Sequence, residues 1–187
     1  MAYHIHTTPG FVVSSFSRGE ADKYIYLFTR DLGMIGVIAK GVRLEKSKLR
    51  YAVQDYAYGS FSVVRGKEAW RLTGAEVPDT RYVATPTTAQ ILALLRRLVQ
   101  GEEAQPVLFD LLDQDLHVIS SIGDVQIVHL YERMAVYRML YHLGYIQLSK
   151  EYDYRLTKPL GEAVEASKAD MQYMLNEINA ALKIAHL

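Results

Sequence analysis

The sequence contains no cysteine among its 187 residues. This absence excludes disulfide bonds, thiolate catalysis and every zinc site that needs cysteine ligands. The chain also lacks an apolar run of the roughly 18 to 20 residues that span a bilayer, and its first residues lack the basic and apolar regions of a secretion signal. Because half of the residues are hydrophobic and 22% are charged, we expect a folded, cytoplasmic protein that has no membrane partner.

The chain also lacks a formal net charge at pH 7, since 21 basic residues balance 21 acidic ones. The balance is uneven along the chain, because residues 1–82 contain 12 Lys/Arg and 8 Asp/Glu, whereas residues 83–187 contain 9 and 13. This asymmetry indicates an N-terminal part that faces a polyanion and a C-terminal part with another task. We therefore expect two domains, 1–82 and 83–187.

The N-terminal part consists of short runs rich in Val, Ile, Tyr, Phe and Thr that are separated by glycines. Such runs predict β-strands with tight turns between them. Several short strands in so few residues fit a small closed barrel such as the OB-fold, because closure removes exposed edges. An SH3-like barrel is the competing architecture. The five predicted strands lie near residues 10–17, 23–30, 34–40, 55–65 and 69–76.

After Pro78 the apolar spacing becomes helical, which predicts a C-terminal helical bundle and an α+β fold overall. Ser167, followed three residues later by Asp170, resembles a capping box and predicts the start of the last helix. Residues 145–160 form the one long irregular stretch in this half. The predicted helices begin at Pro86, Pro106, Asp124 and Ser167.

The stretch from Lys40 to Arg50 is the most informative part of the chain. It contains five Lys/Arg and one acid in eleven residues, at the exit of a predicted strand. A basic loop in that position can follow a phosphate chain, although a charge run is also an ordinary solvated surface. The cations expected to bind nucleic acid are Lys40, Arg43, Lys46, Lys48 and Arg50, with Arg18, Lys23 and Arg30 in second rank.

Aromatic residues near this stretch could stack on bases, although about half of them should instead fill the barrel or its junction with the bundle. Trp70 lies in an alternating strand and fits the core better than a stacking surface. The candidate stacking residues are Tyr24, Tyr26, Tyr51, Tyr56, Tyr58 and Trp70.

No grouping of residues indicates catalysis or metal binding. The glycines lack the spacing of a phosphate-binding loop. Glu20 and Asp22 fit a turn beside Lys23 better than a pair of catalytic carboxylates, and His4 and His6 lack a third ligand. We therefore expect no catalytic residues, no metal and no cofactor, and an enzyme ranks third among the possible functions.

A series of short motifs runs through both halves of the chain. In the N-terminal half they are Gly10–Val13, Gly19–Lys23, Leu27–Arg30, Leu32–Gly33, Ala39–Arg43 with Ser47, and Trp70–Glu76. In the helical half they are Gly101–Glu103 with Pro106, Phe109–Leu112, Tyr137–Leu140 and Leu143–Tyr145. In their order and spacing, the N-terminal motifs resemble the N-terminal signature of RecO, a family of bacterial recombination mediators, and over the helical half the resemblance is thinner. Many members carry a four-cysteine zinc ribbon, where this chain has a short segment without cysteine, so the chain resembles a short form of the family.

The resemblance implies an OB-fold protein that binds single-stranded DNA, with duplex DNA as a second candidate. It further implies strand annealing and, together with RecR, loading of the recombinase onto DNA coated with single-strand-binding protein. The helical domain would then capture the acidic, hydrophobic C-terminal tail of single-strand-binding protein. The cations available for that tail are Arg96, Arg97, Arg133 and Arg138.

Two alternatives remain open from the residues alone. The chain could be an OB-fold adaptor whose basic loop is only a solvated surface, or a module that prefers RNA and has no role in recombination. Without cysteine, the segment 145–160 is expected to need no zinc.

Overall fold

The computed structural model describes residues 4–76, 84–147 and 154–186. The chain forms two compact units, which we call the barrel unit and the helical unit. The barrel unit comprises Met1–Ala84 and Leu92–Asp110, and the helical unit comprises Thr85–Ile91 and Leu111–Leu187. The domain boundary predicted between residues 82 and 83 lies outside the described residues.

The barrel unit contains a closed five-stranded β-barrel, which confirms the predicted OB-fold. Going around the barrel, the strands follow the order β1, β2, β3, β5, β4, and β4 pairs again with β1. Neighbouring strands are antiparallel except for β3 and β5, which are parallel. The strands are β1 Ile5–Arg18, β2 Asp22–Thr29, β3 Gly33–Ala39, β4 Tyr58–Arg65 and β5 Trp70–Glu76.

Alternation along the strands builds the barrel core, because successive side chains point to opposite faces. In β2, Ile25 and Leu27 are buried while Tyr24 and Tyr26 between them are only partly buried. Trp70 is 6% exposed and belongs to the core, so its structural interpretation is the correct one. The core residues are Val12, Ile25, Leu27, Ile35, Val37, Ala39, Val42, Val53, Phe61, Val63 and Trp70.

Residues 92–110 close one end of the barrel. The ring of Phe109 lies 5.4 Å from that of Phe11 and 5.7 Å from that of Phe28, measured between centroids. Gly33 has a φ of +69°, and a Cβ there would lie 2.2 Å from the carbonyl oxygen of Glu103. This position therefore needs glycine both for its backbone conformation and for the close approach of residue 103.

A long loop joins β3 to β4, and we call residues 40–57 the β3–β4 loop. Its buried residues Val42, Ala52 and Val53 tie it to the barrel. The fourth strand was predicted to begin near residue 55, but β4 begins at Tyr58. Tyr56 has a φ of +68°, which lies outside the range of a β-strand.

In the described ranges, six α-helices follow the barrel strands. Residues 92–98 of the first helix and 106–110 of the second belong to the barrel unit. Within the helical unit, α3 packs against α5 and α6. In the described part of the chain, no helix is both long enough and apolar enough to cross a membrane. The helices are α1 Pro86–Leu98, α2 Pro106–Ser120, α3 Val125–His142, α4 Tyr154–Thr157, α5 Leu160–Ala166 and α6 Met171–Ile184.

The helix starts show where local sequence decides the structure. Asp124 caps α3, since its carboxylate accepts hydrogen bonds from the amides of Gln126 at 2.8 Å and Ile127 at 3.4 Å. The capping box predicted at Ser167 and Asp170 is wrong. Ser167 ends α5 and is buried, and Asp170 makes no side-chain cap on α6.

The irregular stretch predicted at residues 145–160 is partly helical. Of its described residues, 154–157 form α4, and Leu160 begins α5. Residues 148–153 lie outside the described part of the chain.

Candidate nucleic-acid interface

The five cations of the β3–β4 loop are all exposed. Successive backbone turns run along the loop, with the amide of Ser47 donating to Leu44 at 3.0 Å and that of Arg50 donating to Ser47 at 3.3 Å. These turns bring five positive charges into one short surface segment. The exposed cations are Lys40, Arg43, Lys46, Lys48 and Arg50.

Backbone and side-chain hydrogen bonds attach the base of this loop to the turn between β1 and β2. The amide of Arg43 donates to Ala21 at 2.9 Å, and its guanidinium donates to the carbonyl of Gly19 at 2.8 Å. The amide of Gly41 donates to the carboxylate of Asp22 at 2.8 Å. Asp22, the first residue of β2, therefore borders the β1–β2 turn, and its carboxylate orients the start of the loop.

Lys23 of β2 binds the β3–β4 loop through a hydrogen bond. Its ammonium group is partly buried and donates to the carbonyl of Val53 at 3.1 Å and to the hydroxyl of Ser15 at 3.2 Å. Lys23 also lines a cleft of about 310 Å³ together with Arg43 and Arg50 of the loop. Its main contribution to the interface is that it holds the loop in place.

A second group of cations lies on the outside of the barrel, and sequence reasoning missed most of it. Two clefts of about 390 and 500 Å³ share Lys40, Lys67 and Arg71 in their walls, and Arg18 lines the smaller one. Two acidic side chains, Asp22 and Glu68, also line the smaller cleft. Lys40 thus connects the β3–β4 loop to a basic surface on β5 and the turn before it.

The pairing of strands explains why this second group escaped prediction. Arg71 stands one residue after the buried Trp70 in β5, so it points outward. It lies beside β3 only because β3 and β5 pair in parallel, with Ile38 opposite Arg71. The outward position of Arg71 was available from the strand alternation, but its neighbours were not.

Arg30 does not join the basic loop. Arg30 directly follows the last residue of β2, whereas Asp22 and Lys23 begin that strand. At the rise of a β-strand, the two ends of β2 are roughly 20 Å apart. Its guanidinium makes a two-point ion pair with Asp110, at 2.7 and 2.9 Å. This pairing lowers the pKa of Asp110, since the hydrogen bond from Arg30 favours the carboxylate.

The predicted stacking residues occupy different environments. Tyr51 is 76% exposed in the β3–β4 loop, and Tyr58 packs against Phe11 with ring centroids 4.9 Å apart. Tyr24 and Tyr26 lie on the outer face of the barrel, where a third aromatic residue, Phe16, is 53% exposed. Phe16 is absent from the set of candidates drawn from the sequence.

The four cations assigned to a protein partner are divided between the two units. Arg96 and Arg97 belong to the barrel unit, whereas Arg133 and Arg138 lie on α3 of the helical unit. The guanidinium of Arg96 lies over the ring of Tyr26, 3.6 Å from its centroid. Arg97 is exposed and Arg133 is partly buried.

Arg138 is a buried structural residue, so its assignment to a partner site is wrong. Its side chain is 2% exposed and donates to Asp115 at 2.9 Å and to the carbonyls of Arg155 and Lys158, both at 2.6 Å. Burial raises the pKa of Asp115 to about 6 and lowers that of Arg138, and the pairing opposes both effects. No peptide can reach this guanidinium from outside.

A second buried arginine extends this polar layer within the helical unit. Arg155 donates to the carboxylate of Asp170 at 2.7 Å, and Asp170 makes no side-chain cap on α6. The hydroxyl of Tyr137 donates to Glu177 of α6 at 2.7 Å. Arg138 therefore holds residues 155 and 158 against α3, and Tyr137 joins α3 to α6.

Histidine and acidic side chains do not assemble into a metal site in the described ranges, where no three of them come close enough together. The rings of His4 and His6 pack edge to face with centroids 4.5 Å apart, and those of His6 and Trp70 do the same at 5.4 Å. These contacts make the pair part of the packing at the start of β1.

Fold and surface together define this chain as an OB-fold barrel with an exposed basic loop, followed by helices. Small barrels of this class bind oligonucleotides on their outer strand face and adjoining loops. In this chain Tyr24 and Tyr26 lie on the outer face of β2, and Arg18 and Lys67 lie at the β1–β2 and β4–β5 connections. The basic β3–β4 loop is hydrogen-bonded to the β1–β2 turn.

Comparison with known proteins then shows which family the chain is similar to. Residues 1–81 match the family model described as Recombination protein O N terminal. The chain is 30% identical over 118 residues to the DNA repair protein RecO of Alkaliphilus metalliredigens, a match that covers 60% of this chain and 48% of that relative. It is 27% identical over 129 residues to the RecO of Halalkalibacterium halodurans, covering 66% and 51%.

A third relative, the DNA repair protein RecO of Acetivibrio thermocellus, is 26% identical over 146 residues, covering 74% of this chain and 57% of the relative. These matches confirm the predicted resemblance to the RecO family, and the family model covers residues 1–81, which contain the five barrel strands. It spans about half the length of the curated relatives it matches.

Proposed function

We propose that this chain acts in DNA repair and recombination as a mediator that binds single-stranded DNA through its barrel unit, without being an enzyme. One observation carries the proposal: the five exposed cations of the β3–β4 loop continue through Lys40 into the clefts that Lys67 and Arg71 line. The relatives support the cellular role, since each is named a DNA repair protein.

The mechanism follows from the attachment of the loop. Lysine and arginine side chains that neutralise phosphates release bound counterions, and this release supplies most of the affinity for a nucleic-acid strand. The loop is already fixed at its base by Arg43 and Asp22, so binding does not have to order that part of the backbone. Exposed aromatic rings next to the cations can add stacking on bases.

Annealing and recombinase loading are the finer parts of the proposal. A strand whose phosphates are neutralised repels its complement less, so a protein that coats it in this way favours pairing of complementary strands. Together with RecR, the chain would help to load the recombinase onto DNA coated with single-strand-binding protein.

Titration of the whole chain with fluorescently labelled oligonucleotides tests DNA binding. We expect binding to single-stranded DNA that weakens steeply from 50 to 200 mM salt, because each neutralised phosphate contributes about −0.7 to the slope of log K against log salt. RNA and duplex DNA of the same length are the comparisons. Tighter binding to RNA would favour the RNA module, and salt-independent or absent binding would favour the adaptor.

For the helical unit, we propose capture of the acidic, hydrophobic tail of single-strand-binding protein. Arg133 is the arginine of α3 that retains solvent access, and Leu130, three residues before it on the same side of the helix, is partly buried. A carboxylate and apolar side chains could meet such a surface together. Arg138 is excluded from this site by its burial.

Calorimetric titration of the whole chain with the tail peptide tests this partner. We expect micromolar affinity that falls when the terminal carboxylate is amidated, because a charge-assisted hydrogen bond is lost. Arg133→Glu should weaken binding at least about tenfold, and Lys183→Glu on α6 is the matched control. Equal affinity of the parent and Arg133→Glu would exclude this surface.

A further inference from the structure

Three aromatic side chains share the outer face of β1 and β2 in the barrel unit. Phe16 stands opposite Tyr24 in the strand pairing, and their rings are nearly parallel, with an interplanar angle of 21° and centroids 5.1 Å apart. Tyr26 meets Tyr24 edge-on at 5.4 Å. The outside of a small barrel normally carries polar side chains, so this cluster needs an explanation.

The cluster is held rigidly. Tyr24 lies across Gly36 of β3, where a Cβ would come within 1.9 Å of its hydroxyl oxygen. Tyr26 is covered by the guanidinium of Arg96 at 3.6 Å from the ring centroid. Tyr24 and Tyr26 are therefore partly buried, and Phe16, at 53% exposure, presents the accessible ring of the group.

Cations border this ring on the side that leads to the basic clefts. Arg18 follows Phe16 by two residues in β1, so both side chains leave the same face of the strand. Across the sheet, the row that contains Phe16 and Tyr24 continues through Ile38 to Arg71. Arg18 and Arg71 both line the cleft of about 390 Å³.

We propose that Phe16, stacked on Tyr24, is the platform on which a base of bound single-stranded DNA stacks. This inference rests on the proposed function, because it needs a strand whose phosphates follow Arg18 and Arg71. A flat ring with one partner already stacked in parallel offers its other face to a second flat ring, and stacking tolerates any base. The positive border favours a polyanion over an apolar peptide as the occupant.

The test compares two oligonucleotides of equal length, oligodeoxythymidylate and a chain of abasic deoxyribose phosphates. Phe16→Leu keeps an apolar side chain on Tyr24 and removes the ring. We expect it to weaken binding of oligodeoxythymidylate about 5- to 150-fold, the range found for loss of one stacked base, and to leave abasic binding within about twofold. Phe16→Trp should retain binding of both.

Tyr173→Leu is the control, because Tyr173 lies in the helical unit and is 54% exposed, close to the value for Phe16. It should change neither affinity. The inference is overturned if Phe16→Leu binds oligodeoxythymidylate like the parent, or if it weakens both oligonucleotides equally.

Two further outcomes would also overturn it. If the parent binds neither oligonucleotide, the proposed function fails together with the inference. A failure of the inference alone differs from this, because the parent then still binds oligodeoxythymidylate. If Phe16→Leu instead turns a sedimenting dimer into a monomer and keeps its oligonucleotide affinities, a second copy of the chain occupies the ring.

Discussion

Replacing Arg138 with methionine is expected to lower the free energy of unfolding of the helical unit by about 3–5 kcal/mol. The reason is the set of groups left behind. The carboxylate of Asp115 is 2% exposed and would lose its partner, and the carbonyls of Arg155 and Lys158 would each lose a donor. Urea denaturation followed by circular dichroism at neutral pH measures the change.

Two variants separate this effect from a general loss of packing. Lys183→Met removes an exposed cation from α6 and should change stability by less than about 0.5 kcal/mol. Asp115→Leu combined with Arg138→Met should be more stable than Arg138→Met alone, because the uncompensated charge is gone. An Arg138→Met variant as stable as the parent would contradict the buried network.

Reversing Lys46, Lys48 and Arg50 to glutamate is expected to weaken binding of single-stranded DNA by at least about 50-fold at 0.15 M salt. Each phosphate contact contributes about 0.6 log units of affinity at that salt concentration, and reversal adds repulsion to the loss of three contacts. All three side chains are exposed, so the thermal melt should stay nearly unchanged. Fluorescence anisotropy with a labelled oligonucleotide measures the affinity.

The control for this variant reverses Lys158, Lys168 and Lys183, three exposed lysines of the helical unit. It changes the net charge of the chain by the same amount but leaves the β3–β4 loop intact. We expect its affinity for DNA to stay within about threefold of the parent, as distant exposed charges are screened at this salt concentration. Equal losses in both triple variants would mean that net charge, and not the loop, determines binding.

The barrel could be predicted from the sequence because its strands alternate clearly. Ile25 and Leu27 point inward and alternate with Tyr24 and Tyr26, and glycines such as Gly19 occupy the turns. The exposed loop cations were predictable for a similar reason, since they are adjacent in the chain. Such local patterns depend only on neighbours in sequence.

The parts that could not be predicted depend on residues far apart in the chain. The charge of Arg138 suggested a surface residue, but Asp115 and two carbonyls beyond residue 154 make it a buried one. Asp170 makes no side-chain cap on α6, and its carboxylate accepts a hydrogen bond from Arg155 instead. Sequence spacing indicates that a side chain could cap a helix, and tertiary contacts decide whether it does.

The sets of basic and aromatic residues predicted from the sequence were incomplete for the same reason. Arg71 becomes part of the interface through the parallel pairing of β3 with β5. Phe16 becomes part of the outer face because Tyr24 stands opposite it on β2. Strand register, which the sequence does not specify in advance, brought both residues to the site.

The salt dependence of binding to single-stranded DNA tests the central claim most directly. The parent chain should give a slope of about −3 for log K against log salt, the value for about four neutralised phosphates of a single strand. The Lys46, Lys48 and Arg50 reversal should make that slope shallower by about 2. A parent affinity that does not change with salt, or an identical slope for the two proteins, would contradict the claim that this loop binds the DNA backbone.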